Sequence, residues 1–304
     1  MEQPVSADHP GSVGRQHRRA TWGRKLPPYL LSLPAGIWLL LLFIVPLAMM
    51  LTMSLKTCSP ASGQCVMTWS WGQLPHSVNL YRAQFITSLI FAAVATVFDL
   101  VISFPIAYWI AFYGGRRKNF FLIMLLVPFF VSFIIRTLVW QFILSNNGIV
   151  ISFLRNQHLV PSNFHVLGTG FAVIAGLAYN YLPFTALPLY VAIERIDRRV
   201  LDAAYDLYAN RRVAFMRVIL PLAVPGIFAA FLLTFIPAFG DYVNQEILGG
   251  TSNTMIGTVI QNTFLVESDY AGGASLSLVL LAVSLVGIWL YARLLGSRTI
   301  EQYL

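Results

Sequence analysis

The chain has 304 residues, of which 57% are hydrophobic and 11% charged, and its mean hydropathy is +0.70. That composition excludes a soluble fold of one large or two smaller domains and points to a polytopic membrane protein. A net charge of +8 would suggest a nucleic-acid partner in a soluble protein; here its placement along the chain carries the information, and no nucleic acid is expected.

Residues 1–28 are polar and carry Arg15, Arg18, Arg19, Arg24 and Lys25. They read as a disordered basic arm ahead of a membrane domain over 29–296, with 297–304 as a short tail. The first apolar run, Tyr29 to Leu55, is too long for a signal-peptide core and lacks a small-x-small cleavage site, so it is expected to remain as a membrane helix. The loop after it holds both cysteines, Cys58 and Cys65, which can close a small disulfide loop or remain free thiols. His76 is the one histidine nearby, too few ligands for a metal site.

Five further spans are expected, at Phe85 to Tyr113, Phe120 to Leu144, Gly168 to Ile193, Ile219 to Phe239 and Gly273 to Leu295. Each can cross a hydrocarbon core of about 30 Å at roughly 1.5 Å per residue. Asp99 in the second and Arg136 in the third are charges at membrane depth, which face a bundle interior, a pathway or each other. An Asp99–Arg136 bridge and a substrate contact by Asp99 are both open. Between spans three and four, Asn146-Asn147-Gly148 marks a turn and Ile149 to Leu154 an apolar segment at the interface. Span four holds Asn180, Tyr181, Pro183 and Pro188 and reads as a kinked, pathway-facing helix.

Residues 194–217 mix six arginines with Glu194, Asp197, Asp202 and Asp206 and are too polar for lipid. Val200, Ala203, Ala204, Leu207 and Tyr208 recur at helical spacing as one apolar face. Asp197 is expected to cap that helix. Asn210 is expected to take a left-handed turn and cap a second short helix, with Val213, Ala214, Phe215 and Val218 on its apolar side and Pro221 at its end. Such mixed charge suits a protein partner better than a lipid surface, which favours a basic face. Beyond span five come Asp241, Tyr242, Asn244, Gln245 and Glu246. With Glu267 and Asp269 this connection carries four carboxylates and no Lys or Arg, a surface that attracts cations, and Tyr242 adds a cation–π face.

Charge orients the chain. With the amino terminus inside, the cytoplasmic segments hold 16 of the 20 Lys and Arg residues, leaving Lys56, Arg82, Arg136 and Arg155 elsewhere. This positive-inside pattern places both termini and the 194–217 hairpin in the cytoplasm.

Asp202-Ala203-Ala204, three residues, Tyr208, nine residues, Val218, one residue and Leu220-Pro221 together resemble the cytoplasmic EAA loop of ABC-importer permeases. The family pattern has Glu, Ile and a turn glycine where this chain has Asp202, Val218 and Tyr208. Leu187 to Glu194, Pro237-Ala238-Phe239-Gly240-Asp241-Tyr242 and Gly249-Gly250 extend the resemblance to the spermidine/putrescine permease subfamily over roughly 30–300. It implies an all-α, six-span permease of the bacterial cytoplasmic membrane, working by alternating access. It also implies an ATPase dimer seated on the hairpin, a second permease chain and an extracytoplasmic binding protein. Asp202, Ala203, Ala204, Tyr208, Leu220 and Pro221 would then serve ATPase coupling, and Asp241, Tyr242, Glu246 and Asp99 the substrate path. No GxxxxGK[ST], HExxH, GxSxG or Cys/His metal spacing is present, so ATP and Mg are expected on the partner and no cofactor on this chain. Import of another solute such as a metal chelate, or an ion-coupled secondary transporter, is the rival reading; no convincing internal repeat supports the latter.

Overall fold

The computed structural model describes residues 28–58, 65–69, 72–161 and 163–300, with side chains described for 33–56, 66–69, 72–161 and 163–293. Residues 1–27 of the basic arm, 301–304 of the tail and the side chains of Cys58 and Cys65 lie outside the described residues. The chain divides into two compact units, 1–48 and 49–304. The first holds most of helix α1 (Pro28–Ser54), which keeps Pro34 and Pro46 inside it.

In the second unit a short antiparallel ladder of β1 (Lys56–Cys58) and β2 (Cys65–Met67) precedes helices α2 (Gln73–Leu80) and α3 (Arg82–Tyr113). There follow α4 (Lys118–Leu126), α5 (Phe133–Leu144), α6 (Ile149–Asn156), α7 (Gly170–Glu194), α8 (Arg198–Asp206) and α9 (Arg211–Ala214). The chain ends with α10 (Leu220–Phe239), α11 (Val243–Leu248), α12 (Ile256–Leu265) and α13 (Tyr270–Ile300). Among the described residues six helical segments are long and apolar enough to cross a membrane, so the all-α expectation holds, with three-residue strands as a local addition.

The core of this unit is α3, α7 and α10, which pack against one another pairwise. Apolar helices gain nothing by leaving lipid for each other, so their association rests on close approach and dispersion contacts between small residues. The buried faces supply them: Ala92, Ala95 and Ala107 on α3, and Ala223, Ala230 and Ala238 on α10. At Gly226 a Cβ would lie 2.2 Å from that of Ala192, so only glycine permits the observed approach of α10 to α7.

Two predicted elements differ. The third span is not one rod: it breaks after α4 into a 3₁₀ turn, Val127–Phe130, and an extended Val131 before α5 begins. Pro128 lacks the N–H an α-helix would use there. Nor does Pro221 end a helix, because α9 runs through a π-turn, Phe215–Ile219, straight into α10. Widening the turn ahead of the proline lets the backbone pass a residue that cannot donate. The second arm of the hairpin and the fifth span are therefore one continuous helix. Span four is the most deeply buried span of this unit, with Pro183 inside the core.

Candidate functional site

Two regions carry the residues singled out by sequence, and α10 separates them by about 30 Å at roughly 1.5 Å per residue. One is the hairpin of α8 and α9; the other is the elbow where α10 turns into α11.

In the hairpin both predicted caps form. Asp197 Oδ1 accepts from Arg199 N at 3.0 Å, and Asn210 Oδ1 from Val213 N at 2.8 Å. The left-handed residue, however, is Tyr208, with φ of 58°, while Asn210 is extended. The position where the resembled family has glycine thus keeps the glycine conformation with a tyrosine, at a cost of roughly 1 kcal/mol. The face of α8 that packs inward also differs from the expected one. Leu201, Ala214 and Ile219 form a buried cluster with Phe104, Tyr108, Phe112, Ile196, Ala204 and Phe215. Of the predicted stripe only Ala204 joins it; Val200, Ala203, Leu207 and Tyr208 are exposed, as is Asp202. Leu220 is half-buried and Pro221 exposed at the start of α10.

The hairpin is fastened to the bundle by contacts no local pattern reveals. Arg198 Nη2 donates to the Phe112 carbonyl at 2.9 Å, and its guanidinium lies 5.9 Å from the centroid of the Phe112 ring. The Phe215 ring meets Phe104 and Tyr108 edge-on, at 5.5 and 6.0 Å. Lys118 at the start of α4 pairs with Glu194 at the end of α7.

At the elbow, Asp241 is only 6% exposed. Its Oδ2 accepts from Tyr181 Oη at 2.8 Å and Asn244 Nδ2 at 2.9 Å, and its Oδ1 accepts from Asn244 N at 2.8 Å. Asn244 Oδ1 in turn accepts from Asn180 Nδ2 at 2.9 Å and Thr137 Oγ1 at 3.3 Å, and Asn180 Nδ2 also reaches Thr137 Oγ1 at 3.0 Å. One buried network thus ties α5, α7 and the α10–α11 turn. Burial pushes the Asp241 carboxyl above the usual carboxylate range, and the bonds from Asn244, Tyr181 and Val243 oppose that push. At Gly176 on α7 a Cβ would stand 2.4 Å from Leu248 Cδ1 and 2.8 Å from Asn244 Oδ1, so the network needs glycine there.

The other predicted path residues separate. Tyr242 and Glu246 are exposed on the elbow. Asp99 is fully buried on α3, and neither carboxylate oxygen has a hydrogen-bond partner among the described residues. The Asp99–Arg136 bridge does not form. Arg136 lies over the Phe129 ring, 4.6 Å from its centroid, with Nε and Nη1 unpartnered among the described residues. Glu267 and Asp269 line a separate cavity of about 280 Å³ with Gln73, His76 and Tyr81. Burial, followed by these two carboxylates, raises the Tyr81 hydroxyl's pKa. Among the described residues no cluster of three or more His, Cys, Asp or Glu could hold a metal ion. Across β1 and β2, Cys58 and Cys65 are register partners.

Thr137 is not among the residues singled out by sequence, and Asn180, Tyr181 and Asn244 stand there only as polar groups. Thr137, Asn180 and Tyr181 signal by polarity inside apolar runs, and the bonds that tie α5, α7 and the elbow together span 43–107 residues.

Residues 103–298 match the family described as "Binding-protein-dependent transport system inner membrane component". The chain is 34% identical over 265 residues to the spermidine/putrescine transport system permease protein PotB of Escherichia coli (strain K12), covering 86% of this chain and 96% of that one. The PotB protein of Haemophilus influenzae is 33% identical over 257 residues, 84% of this chain and 90% of the relative. Among solved structures, a bacterial ABC transporter that imports the acidic polysaccharide alginate superposes with a TM-score of 0.65 at 19% identity. That match covers 90% of this chain and 96% of the other, and at such identity it speaks for the fold alone.

Proposed function

We propose, because the chain belongs to the family of binding-protein-dependent transport system inner membrane components, that it carries polyamines of the spermidine and putrescine kind. The chain is a multi-pass permease of a binding-protein-dependent ABC importer. The 34% identity to a spermidine/putrescine permease over 86% of the chain is the observation that carries the substrate. An elbow connection bearing only negative charge agrees with it.

In this reading both termini and the hairpin are cytoplasmic, and the elbow opens to the outside. A binding protein delivers the polyamine. Closure of an ATPase dimer, which holds ATP and Mg, moves the hairpin, and a second permease chain completes the path. Discrimination requires residues that meet the cargo in one state and not the other. Exposed Tyr242 and Glu246 are the groups for first contact, and Asp99, buried without a partner, is the subsite for the occluded state. Asp241 is assigned a positioning role, since Tyr181 and Asn244 already donate three hydrogen bonds to its carboxyl group. Asp202, Ala203, Tyr208 and Pro221 face outward where an ATPase can reach them. The β-ladder register supports a Cys58–Cys65 disulfide, which thiol labelling with and without reductant tests.

The experiment is uptake by proteoliposomes holding the full importer and its binding protein, with labelled spermidine, putrescine, sulfate and an alginate oligosaccharide. ATP-dependent accumulation of a polyamine is expected, and Glu246→Gln should lower its uptake about tenfold without altering complex assembly. Accumulation of sulfate or the oligosaccharide in place of polyamines would overturn the substrate assignment.

A further inference from the structure

We propose that Phe129, Phe133, Tyr181 and Phe184 form an aromatic station for one ammonium group of the transported polyamine, and that Arg136 is its tethered resting occupant, which the arriving ammonium displaces. The cargo class rests on the polyamine reading above.

The four rings make a circuit that closes through Arg136. Phe129 and Phe184 meet at 5.2 Å between centroids, Phe184 and Tyr181 at 6.1 Å, and Tyr181 and Phe133 at 6.0 Å. The Arg136 guanidinium bridges the two ends, 4.6 Å from the centroid of Phe129 and 5.7 Å from that of Phe133. The 3₁₀ turn, α5 and α7 thus gather rings around a single positive charge, the arrangement by which aromatic side chains hold an ammonium.

Two observations set this apart from ordinary packing. Arg136 is 7% exposed, yet its Nε and Nη1 have no hydrogen-bond partner and it forms no ion pair among the described residues. A buried guanidinium is costly without such partners, so one resting on ring faces is held weakly enough to be exchanged. The backbone beside it is also unusual at membrane depth. Val131 is extended between the 3₁₀ turn and α5, and both Phe130 and Val131 are exposed. Non-helical backbone at that depth is tolerated where it meets protein or lines a wet cavity, not where it faces lipid. Phe184, 42% exposed, leaves the station reachable from that side.

Displacement needs a second place for the guanidinium, and the structure supplies one. Arg136 also lines a cavity of about 300 Å³ with Trp140 and Tyr179, whose rings meet at 5.4 Å. Tryptophan is the strongest aromatic partner for a cation, and a guanidinium stacks well on such a face. Like charges repel strongly in an apolar circuit, so an ammonium entering it drives Arg136 toward Trp140. Tyr181 ties the exchange to the elbow, since its ring belongs to the station and its hydroxyl donates to Asp241 at 2.8 Å. An anionic cargo would instead need Arg136 in place as its counter-ion. The sign of the effect of removing Arg136 separates the two.

The test is equilibrium binding of labelled spermidine to the purified importer without its binding protein. Arg136→Gln empties the station and is expected to tighten binding about tenfold. Guanidinium chloride at millimolar concentration is expected to compete in that variant and not in wild type, an effect a merely structural arginine would not produce. Phe184→Leu, at an exposed position, is expected to weaken binding several-fold, alone or combined with Arg136→Gln, and serves where the arginine variant fails to fold. Unchanged or weaker binding in Arg136→Gln, or unchanged binding in Phe184→Leu, overturns the proposal. Spermidine uptake by the same preparation, with binding protein and ATP, separates the two levels of inference. Uptake without these shifts sinks the station and leaves the polyamine reading standing, whereas no uptake removes that reading and the station's cargo with it.

Discussion

The two ends of α10 are held by opposite physics. At the hairpin the contacts are apolar and aromatic, with Leu201, Ala214 and Ile219 against Phe104, Tyr108 and Phe112, and the polar groups stay at the surface. At the elbow the polar groups are inside, with Asp241, Asn244, Asn180, Tyr181 and Thr137 bonded to one another away from water and Asn180 Oδ1 left without a partner among the described residues. Apolar packing tolerates small sliding, because dispersion contacts are many and non-directional. A buried hydrogen-bond network has a narrow geometry and loses heavily when any member moves. The packing of the hairpin on α3 therefore tolerates small displacements that the elbow's network does not, and the uninterrupted α9–π–α10 helix joins the two.

The most severe way to break this contrast is Asp241→Ala. It leaves the Tyr181 hydroxyl and the Asn244 amide donors without their acceptor, at about 1–3 kcal/mol for each buried orphan, so a loss of roughly 3 kcal/mol or more is expected in thermal unfolding of the purified permease. Asp241→Asn keeps an acceptor and should lose less. Equal and small losses in both would mean that water replaces the carboxylate and that the elbow is no rigid unit. Next comes Leu201→Ala at the hairpin, about 2 kcal/mol, the low end for a buried leucine because the cluster lies near the surface and can relax. Ala204→Asp should act at the same cluster, through the chain's own packing, and its signature is lost stability of the purified permease.

What the sequence made legible divides along the same line. The spans follow from composition, and both hairpin caps could be read because Asp197 and Asn210 bond within three residues of themselves. The inward face of α8 could not. The helix carries two apolar stripes, and periodicity does not say which one meets α3. The break in the third span was written in Pro128, but an apolar run of that length reads as one rod until the backbone is traced. The elbow was the least legible, since Tyr181 and Asp241 are 60 residues apart and Thr137 and Asn244 are 107 apart. Asp241 reads in sequence as a substrate-path carboxylate, and nothing local to it announces the Tyr181 hydroxyl that donates to it from α7.

Finer cuts sharpen the comparison. Tyr181→Phe removes one donor from Asp241 and preserves the ring that packs near Phe133, at 6.0 Å between centroids. Its expected loss is about 1–1.5 kcal/mol. Because the lost bond is directional, the variant should also raise amide exchange at Val243 and Asn244 and leave the hairpin amides unchanged. Exchange that spreads to α8 would show that the two ends are not separable units.

The smallest effect belongs to Lys118→Ala. The Lys118–Glu194 pair joins α4 to α7 beside the hairpin, but its side chains remain 44% and 36% exposed. Water and salt therefore screen it, and exposed pairs contribute roughly 0–1 kcal/mol. The unfolding temperature should fall by no more than about 2 °C at low salt, and the difference from wild type should vanish near 1 M salt, where the screening length is about 3 Å. If instead Lys118→Ala proves as damaging as Leu201→Ala and stays so at high salt, charge and not apolar packing anchors the hairpin end.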